Sequence, residues 1–152
     1  QGLEIFRGAY AQAPCLESRL YPGVRQSLDD LREWGLPLGV VTNKEHSFAL
    51  PILRQLKIEA YFSVVVGGDT LPTCKPDAAP VLYAMSELNT PGRGVLVGDS
   101  EVDIRAAQAA KVPVVAVSYG YNRGREVQMM GADLVIDSMK ELPEALASLV
   151  AI

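Results

Sequence analysis

The 152-residue chain, 49% hydrophobic with a net charge of -4, has the size and composition of one compact domain built on a single sizeable core. Its 14 Lys and Arg against 18 Asp and Glu exclude a general electrostatic attraction to nucleic acid or to an anionic membrane, so any anion must be held locally. Cys15 and Cys74 are too few for a disulfide framework and lack zinc-ligand spacing, and no apolar run approaches a membrane span; a soluble, cytoplasmic protein with reduced thiols is expected.

Residues 1–19 read as a helix with an irregular piece around Pro14. After the turn Tyr21-Pro22-Gly23, a helix is predicted over 24–34, burying Val24, Leu28, Leu31 and Trp34, with Gly35 in the left-handed position after it. Leu36-Pro37-Leu38-Gly39-Val40-Val41 is apolar on both alternating faces, as a buried parallel strand should be, and it ends in the polar turn Thr42-Asn43-Lys44-Glu45. A helix over 46–56 must accommodate Pro51 by bending or by an irregular first turn.

Ser63-Val64-Val65-Val66 is the next strand, leaving through Gly67-Gly68-Asp69, and a loop then leads to a helix from Pro76 or Asp77 to Leu88. Strands over 94–97 and 113–117 flank an alanine-rich helix over 102–110, and Leu134-Val135-Ile136 makes a short last strand. Ser138-x-x-Glu141 carries a capping signature and opens a final helix. Strands alternating with helices predict a Rossmann-like three-layer α/β sandwich around a mostly parallel sheet.

The polar strand exits are where chemistry concentrates, because in an open parallel sheet the carboxyl ends of the strands converge on one crevice. Thr42, Lys75 and Asp99 each lie at such an end or at the mouth of the next helix. Thr42 and nearby amides can hold phosphate oxygens, although Thr42-x-x-Glu45 also fits a capping box. A cation such as Lys75 just before a helix opposes the helix dipole by about 0.3 kcal/mol or more, so its placement asks for a partner, unless it is simply solvated. Asp99 offers a hard oxygen ligand where the apolar strand should end in something neutral, and Ser100-x-x-Asp103 behind it fits a second capping box. A phosphate-oxygen donor, a cation and a carboxylate suited to magnesium (Mg2+) together match the needs of phosphoryl transfer. His46, the single histidine, is given no role.

Val40-Val41-Thr42-Asn43-Lys44, then Cys74-Lys75-Pro76-Asp77, then Val97-Gly98-Asp99-Ser100-Glu101-Val102-Asp103 resemble, in the right order, the second, third and fourth motifs of the haloacid dehalogenase-like hydrolases. Leu20-Tyr21-Pro22-Gly23-Val24, Tyr119-Gly120-Tyr121-Asn122 and Ala132-Asp133-Leu134-Val135-Ile136-Asp137 are similar to the phosphoglycolate phosphatase branch. The resemblance implies a magnesium-dependent phosphomonoester hydrolase, with 2-phosphoglycolate the leading substrate. By it, Thr42 and Asn43 bind the phosphoryl group and Lys75 stabilises the nucleophile and the transferring phosphate. Asp99 binds Mg2+, Asp103 orients Lys75 or a metal-bound water, and Ser100 helps Asn43 to shape the pocket.

One family feature is missing. Such enzymes open on a strand ending in Asp-x-Asp, whose first aspartate forms an aspartyl-phosphate and whose second is the general acid and base, and this sequence holds no Asp-x-Asp. Asp29-Asp30 falls within a predicted helix. The expectation is therefore a core over 20–152, a remnant of a helical cap over 1–19, a sheet lacking its first central strand, and no hydrolysis by the chain as written. The two strand edges flanking that gap should pair with another segment, close up, or join a second copy in a homo-oligomer. Another phosphatase of the superfamily, a phosphosugar mutase, a phosphoacceptor receiver domain and a non-catalytic binding domain stay open as alternatives.

Overall fold

A computed structural model of the chain describes residues 20, 22–118 and 131–150. The helix and cap remnant expected over 1–19, Cys15 with them, and the segment 119–122 lie outside the described residues. In chain order the elements are α1 (Val24–Glu33), β1 (Gly39–Val41), α2 (His46–Gln55), a 3-10 turn (Glu59–Tyr61) and β2 (Val64–Val66). There follow α3 (Ala79–Glu87), β3 (Leu96–Gly98), α4 (Glu101–Ala110), β4 (Val114–Val117), β5 (Leu134–Ile136), a 3-10 turn (Met139–Glu141) and α5 (Leu142–Val150).

The strands form two parallel sheets. β1 pairs with β2 in the register Gly39 to Val64, Val40 to Val65 and Val41 to Val66. β4 lies between β3 and β5, with Val97 opposite Val115 and Ala116 opposite Val135. Among the described residues no ladder joins β1 to β3, the two edges expected to flank a missing central strand. The sheets nevertheless share both cores. Leu38, Val40, Val95, Val97, Val115 and Val117 point into one apolar cluster with α1, α2 and α5, while Val41, Val66, Leu96, Val114 and Ala116 point into another with α3 and α4. Alternation along each strand thus gives helices something to bury on both faces, which is the three-layer sandwich.

Individual helices follow from their residues. α1 buries Val24, Leu28 and Leu31 at helical spacing and stops at Gly35, whose φ of 76° lets its N–H reach Arg32 O while Leu36 N reaches Leu31 O. Ser27 donates to the Met139 carbonyl, fastening α1 to the C-terminal 3-10 turn. Trp34 corrects the sequence reading: it is 52% exposed, because it is the C-cap of α1 and turns off the buried face. α2 runs through Pro51, whose missing N–H spares only the carbonyl of Ser47 in an exposed first turn. Beside α1, the Arg32 guanidinium stacks over the Tyr61 ring at 4.3 Å, and the Tyr61 hydroxyl donates to Asp29, a bond that raises the phenol above its ordinary pKa.

Candidate functional site

The carboxyl ends of β1 and β3 face a shared rim, and one side chain spans it. Lys75, on the loop before α3, is fully buried in its side chain. Its Nζ donates to the Val41 carbonyl at 2.8 Å, at the end of β1, and to Asp103 Oδ1 at 2.6 Å, on the first turn of α4 after β3. The side chain of Asp103 is equally buried. A cation and an anion removed from water are tolerated only when paired and hydrogen-bonded, and this pair is both. Asp103 Oδ2, the other carboxylate oxygen, accepts from Asp99 N at 3.0 Å and from Ser100 Oγ at 3.2 Å. Lys75 and Asp99 are therefore linked through one carboxylate, on the same rim.

The backbone of Lys75 is fixed separately. Asn43 Nδ2 donates to Lys75 O at 2.9 Å and Lys75 N donates to Asn43 Oδ1 at 2.9 Å, so the side-chain amide grips the main chain like a base pair. α3 begins only at Ala79, with Pro80 in its first turn, so Lys75 does not stand at a helix mouth as the sequence reading had it. The Asn43 clamp and the Asp103 carboxylate hold it instead. Asn43, expected among phosphate-binding groups, spends its side chain on positioning this lysine.

Thr42 is 3% exposed and ends β1, its N–H continuing the ladder to Val66 O at 2.9 Å. The capping-box alternative for it does not form. α2 starts at His46 with Glu45 as N-cap and no side-chain cap bond of its own, and Thr42 Oγ1 accepts from Lys44 N at 3.1 Å within the turn. The capping box read at Ser100 does not form either. Ser100 is the N-cap of α4, but Asp103 reaches past it to Asp99 N. Asp99 is 2% exposed at the strand exit, and Gly98 makes room for this packing: a β-carbon there would lie 2.6 Å from Asp103 Cγ.

The residues suit magnesium by the chemistry of their donors. Among the described residues no group of three or more His, Cys, Asp or Glu side chains gathers, and the acidic side chain at the strand exit, Asp99, offers oxygen donors. One or two carboxylates completed by water and a phosphate oxygen is how magnesium is ordinarily held, whereas zinc sites draw mainly on His and Cys ligands.

The sequence reading missed the loop after β2. Asp69 Oδ1 accepts from His46 N at 2.9 Å, capping α2 from another part of the chain. The signal was present as Gly67-Gly68-Asp69 at a strand exit, two glycines ahead of an acidic residue, but nothing in the spacing names its distant partner.

The chain matches the haloacid dehalogenase-like hydrolase family over residues 3–117. It is 43% identical over 143 residues to the phosphoglycolate phosphatase of Pseudomonas syringae pv. syringae, covering 93% of this chain and 52% of that protein. The chain thus spans about half the length of the curated relatives it matches. A crystal structure of a predicted phosphoglycolate phosphatase from Haemophilus somnus superimposes with a TM-score of 0.83 at 36% identity, over 90% of this chain and 61% of that one. CbbY from Rhodobacter sphaeroides in complex with phosphate gives 0.73 at 28% identity, over 82% and 56%. None of this fits a receiver domain, whose acidic pair precedes its Thr, whereas here Asp99 and Asp103 come last. With its three motifs in order on one rim and the family matched over most of its length, the chain belongs to the haloacid dehalogenase-like hydrolases and is similar to phosphoglycolate phosphatases among them.

Proposed function

We propose that this chain supplies the phosphate-binding and charge-stabilising part of a magnesium-dependent phosphomonoester hydrolase, with 2-phosphoglycolate as substrate. The observation that carries the reading is the buried Lys75 ammonium, held at the meeting of the β1 exit and the first turn of α4. Thr42 donates its hydroxyl to a phosphoryl oxygen. Lys75 places a fixed positive charge beside the equatorial oxygens, where charge gathers in the transition state. Asn43 sets the main chain of that lysine and Asp103 sets its ammonium, so neither needs to reorganise when phosphate arrives. Asp99 would hold magnesium, which when bound supplies further positive charge against the phosphate. In the branch reading the covalent step belongs to an Asp-x-Asp pair, which this sequence lacks, so the chain by itself binds phosphate without turning it over. Among the described residues no helix is long and apolar enough to cross a membrane.

The test measures phosphate release from 2-phosphoglycolate by the chain alone and by a form extended ahead of Gln1 with a strand carrying Asp-x-Asp, each with magnesium and with chelator. Turnover by the extended form only, abolished by chelator and by Asp99→Asn, is expected. Undiminished turnover in Asp99→Asn overturns the metal assignment, and normal turnover in Lys75→Ala overturns the role given to the lysine.

A further inference from the structure

The loop that leaves β2 packs against the turn that leaves β1. A β-carbon on Gly67 would lie 2.7 Å from His46 Cα, and one on Gly68 would lie 2.8 Å from the carbonyl carbon of Asn43, so only glycine lets the two backbones come this close. Gly68 N donates to Lys44 O at 2.8 Å. Thr70 Oγ1 accepts from Gly67 N at 2.8 Å, tying the loop to itself. Asp69, the next residue, accepts from His46 N at 2.9 Å, in the place that the N-cap Glu45 leaves without a side-chain bond. A carboxylate there satisfies one of the free N–H groups of the first turn and interacts favourably with the positive end of the helix.

We propose that Asp69 is a positioning residue for the phosphate site: by capping α2 from the neighbouring strand exit it fixes the turn 42–45, and through it the Thr42 hydroxyl, the Asn43 amide and the grip of Asn43 on Lys75. The proposal rests on the phosphate-site reading above. Asp69 itself is exposed and makes no bond to Lys75, Asp99 or Asp103, so its effect on phosphate passes through the turn.

The experiment is an NMR titration of the uniformly labelled chain with inorganic phosphate, followed at the Thr42 and Asn43 amides, with hydrogen exchange of the His46 amide and a thermal melt for each variant. In Asp69→Ala, phosphate affinity should fall about fivefold and His46 exchange should quicken by a similar factor, the size expected for loss of one N-cap. Asp69→Asn keeps an oxygen acceptor and should recover most of both, and Thr70→Val, which loosens the same loop, should weaken phosphate in the same direction. A lower melting midpoint in Asp69→Ala with unchanged phosphate affinity at a temperature where both proteins are folded overturns the proposal, as does unchanged His46 exchange. A wild-type chain whose Thr42 and Asn43 amides ignore phosphate overturns the phosphate-site reading instead, and that result is seen before any variant is made.

Discussion

Replacing Asp103 by asparagine changes one atom and should cost a large share of the stability of the domain. At 2.6 Å from Lys75 Nζ, the carboxylate attracts the ammonium with about 6 kcal/mol at an effective dielectric constant of about 20, and burial of both side chains offsets much of that through desolvation. The amide keeps the shape but cannot keep the bonds. Oδ1 accepts from Lys75 and Oδ2 accepts from Asp99 N and Ser100 Oγ, so in either orientation an NH2 group faces donors. The lysine is left charged and buried, which costs about 3–5 kcal/mol, against a total of about 5–15 kcal/mol for a domain. For a chain of this length that lowers the melting midpoint by about 10 °C. Urea unfolding followed by circular dichroism, with the slope unchanged, measures the loss. Lys75→Met combined with Asp103→Asn removes the stranded charge and should be no less stable than Asp103→Asn alone. An Asp103→Asn chain within about 1 kcal/mol of wild type, or strict additivity in the double variant, would refute a buried ion pair at this rim.

Two further variants probe the supports of the same lysine. Asn43→Asp keeps an acceptor for Lys75 N but loses the donor to Lys75 O and sets a carboxylate against that carbonyl; phosphate affinity, read by titration calorimetry, should fall about tenfold or more. Gly98→Ala forces a methyl group into Asp103 and should destabilise the chain by about 1–3 kcal/mol in urea, with the Lys75 and Asp99 resonances moving together.

Much of the rim could be read in the sequence because buried parallel strands are apolar on both faces, so a polar residue at the end of such a run stands out. Thr42 and Asp99 stand out that way and Lys75 by its charge just ahead of a predicted helix, whereas Asp103, inside the next helix, fits a capping box and takes its site role only from the resemblance. The element edges were less readable. A strand over 36–41 was expected where the ladder holds only Gly39–Val41, since ladder length depends on a partner that periodicity does not reveal. α3 starts at Ala79 rather than at 76 or 77, with Pro80 taking a place in the first turn where its missing N–H goes unused. The spacing of Trp34 fits the buried face of the helix, but as the C-cap it leaves the stripe that the spacing describes. The Asp69 bond to His46 N spans a sequence separation of 23, and Gly67-Gly68-Asp69 marks the turn without naming that partner.

The same four-residue pattern gives two different structures in this chain, and the difference lies in distant residues. At Ser138-x-x-Glu141 the box closes: Ser138 N donates to Glu141 Oε2 at 3.0 Å and Lys140 N donates to Ser138 Oγ at 3.2 Å, at an exposed end of the fold. At Ser100-x-x-Asp103 a shorter acidic side chain is drawn inward, past its own N-cap, to Asp99 N and to the ammonium of Lys75, 28 positions earlier in the chain. Gly98 leaves the space for it, and a buried ammonium pairs with it away from water. Neither condition is present at Ser138, where solvent competes for the carboxylate and the local bonds prevail. Both signatures mark a helix start, but the reciprocal bonds of the box close only at Ser138; at Ser100 the carboxylate serves the rim, and the helix starts with its first turn tied to the site.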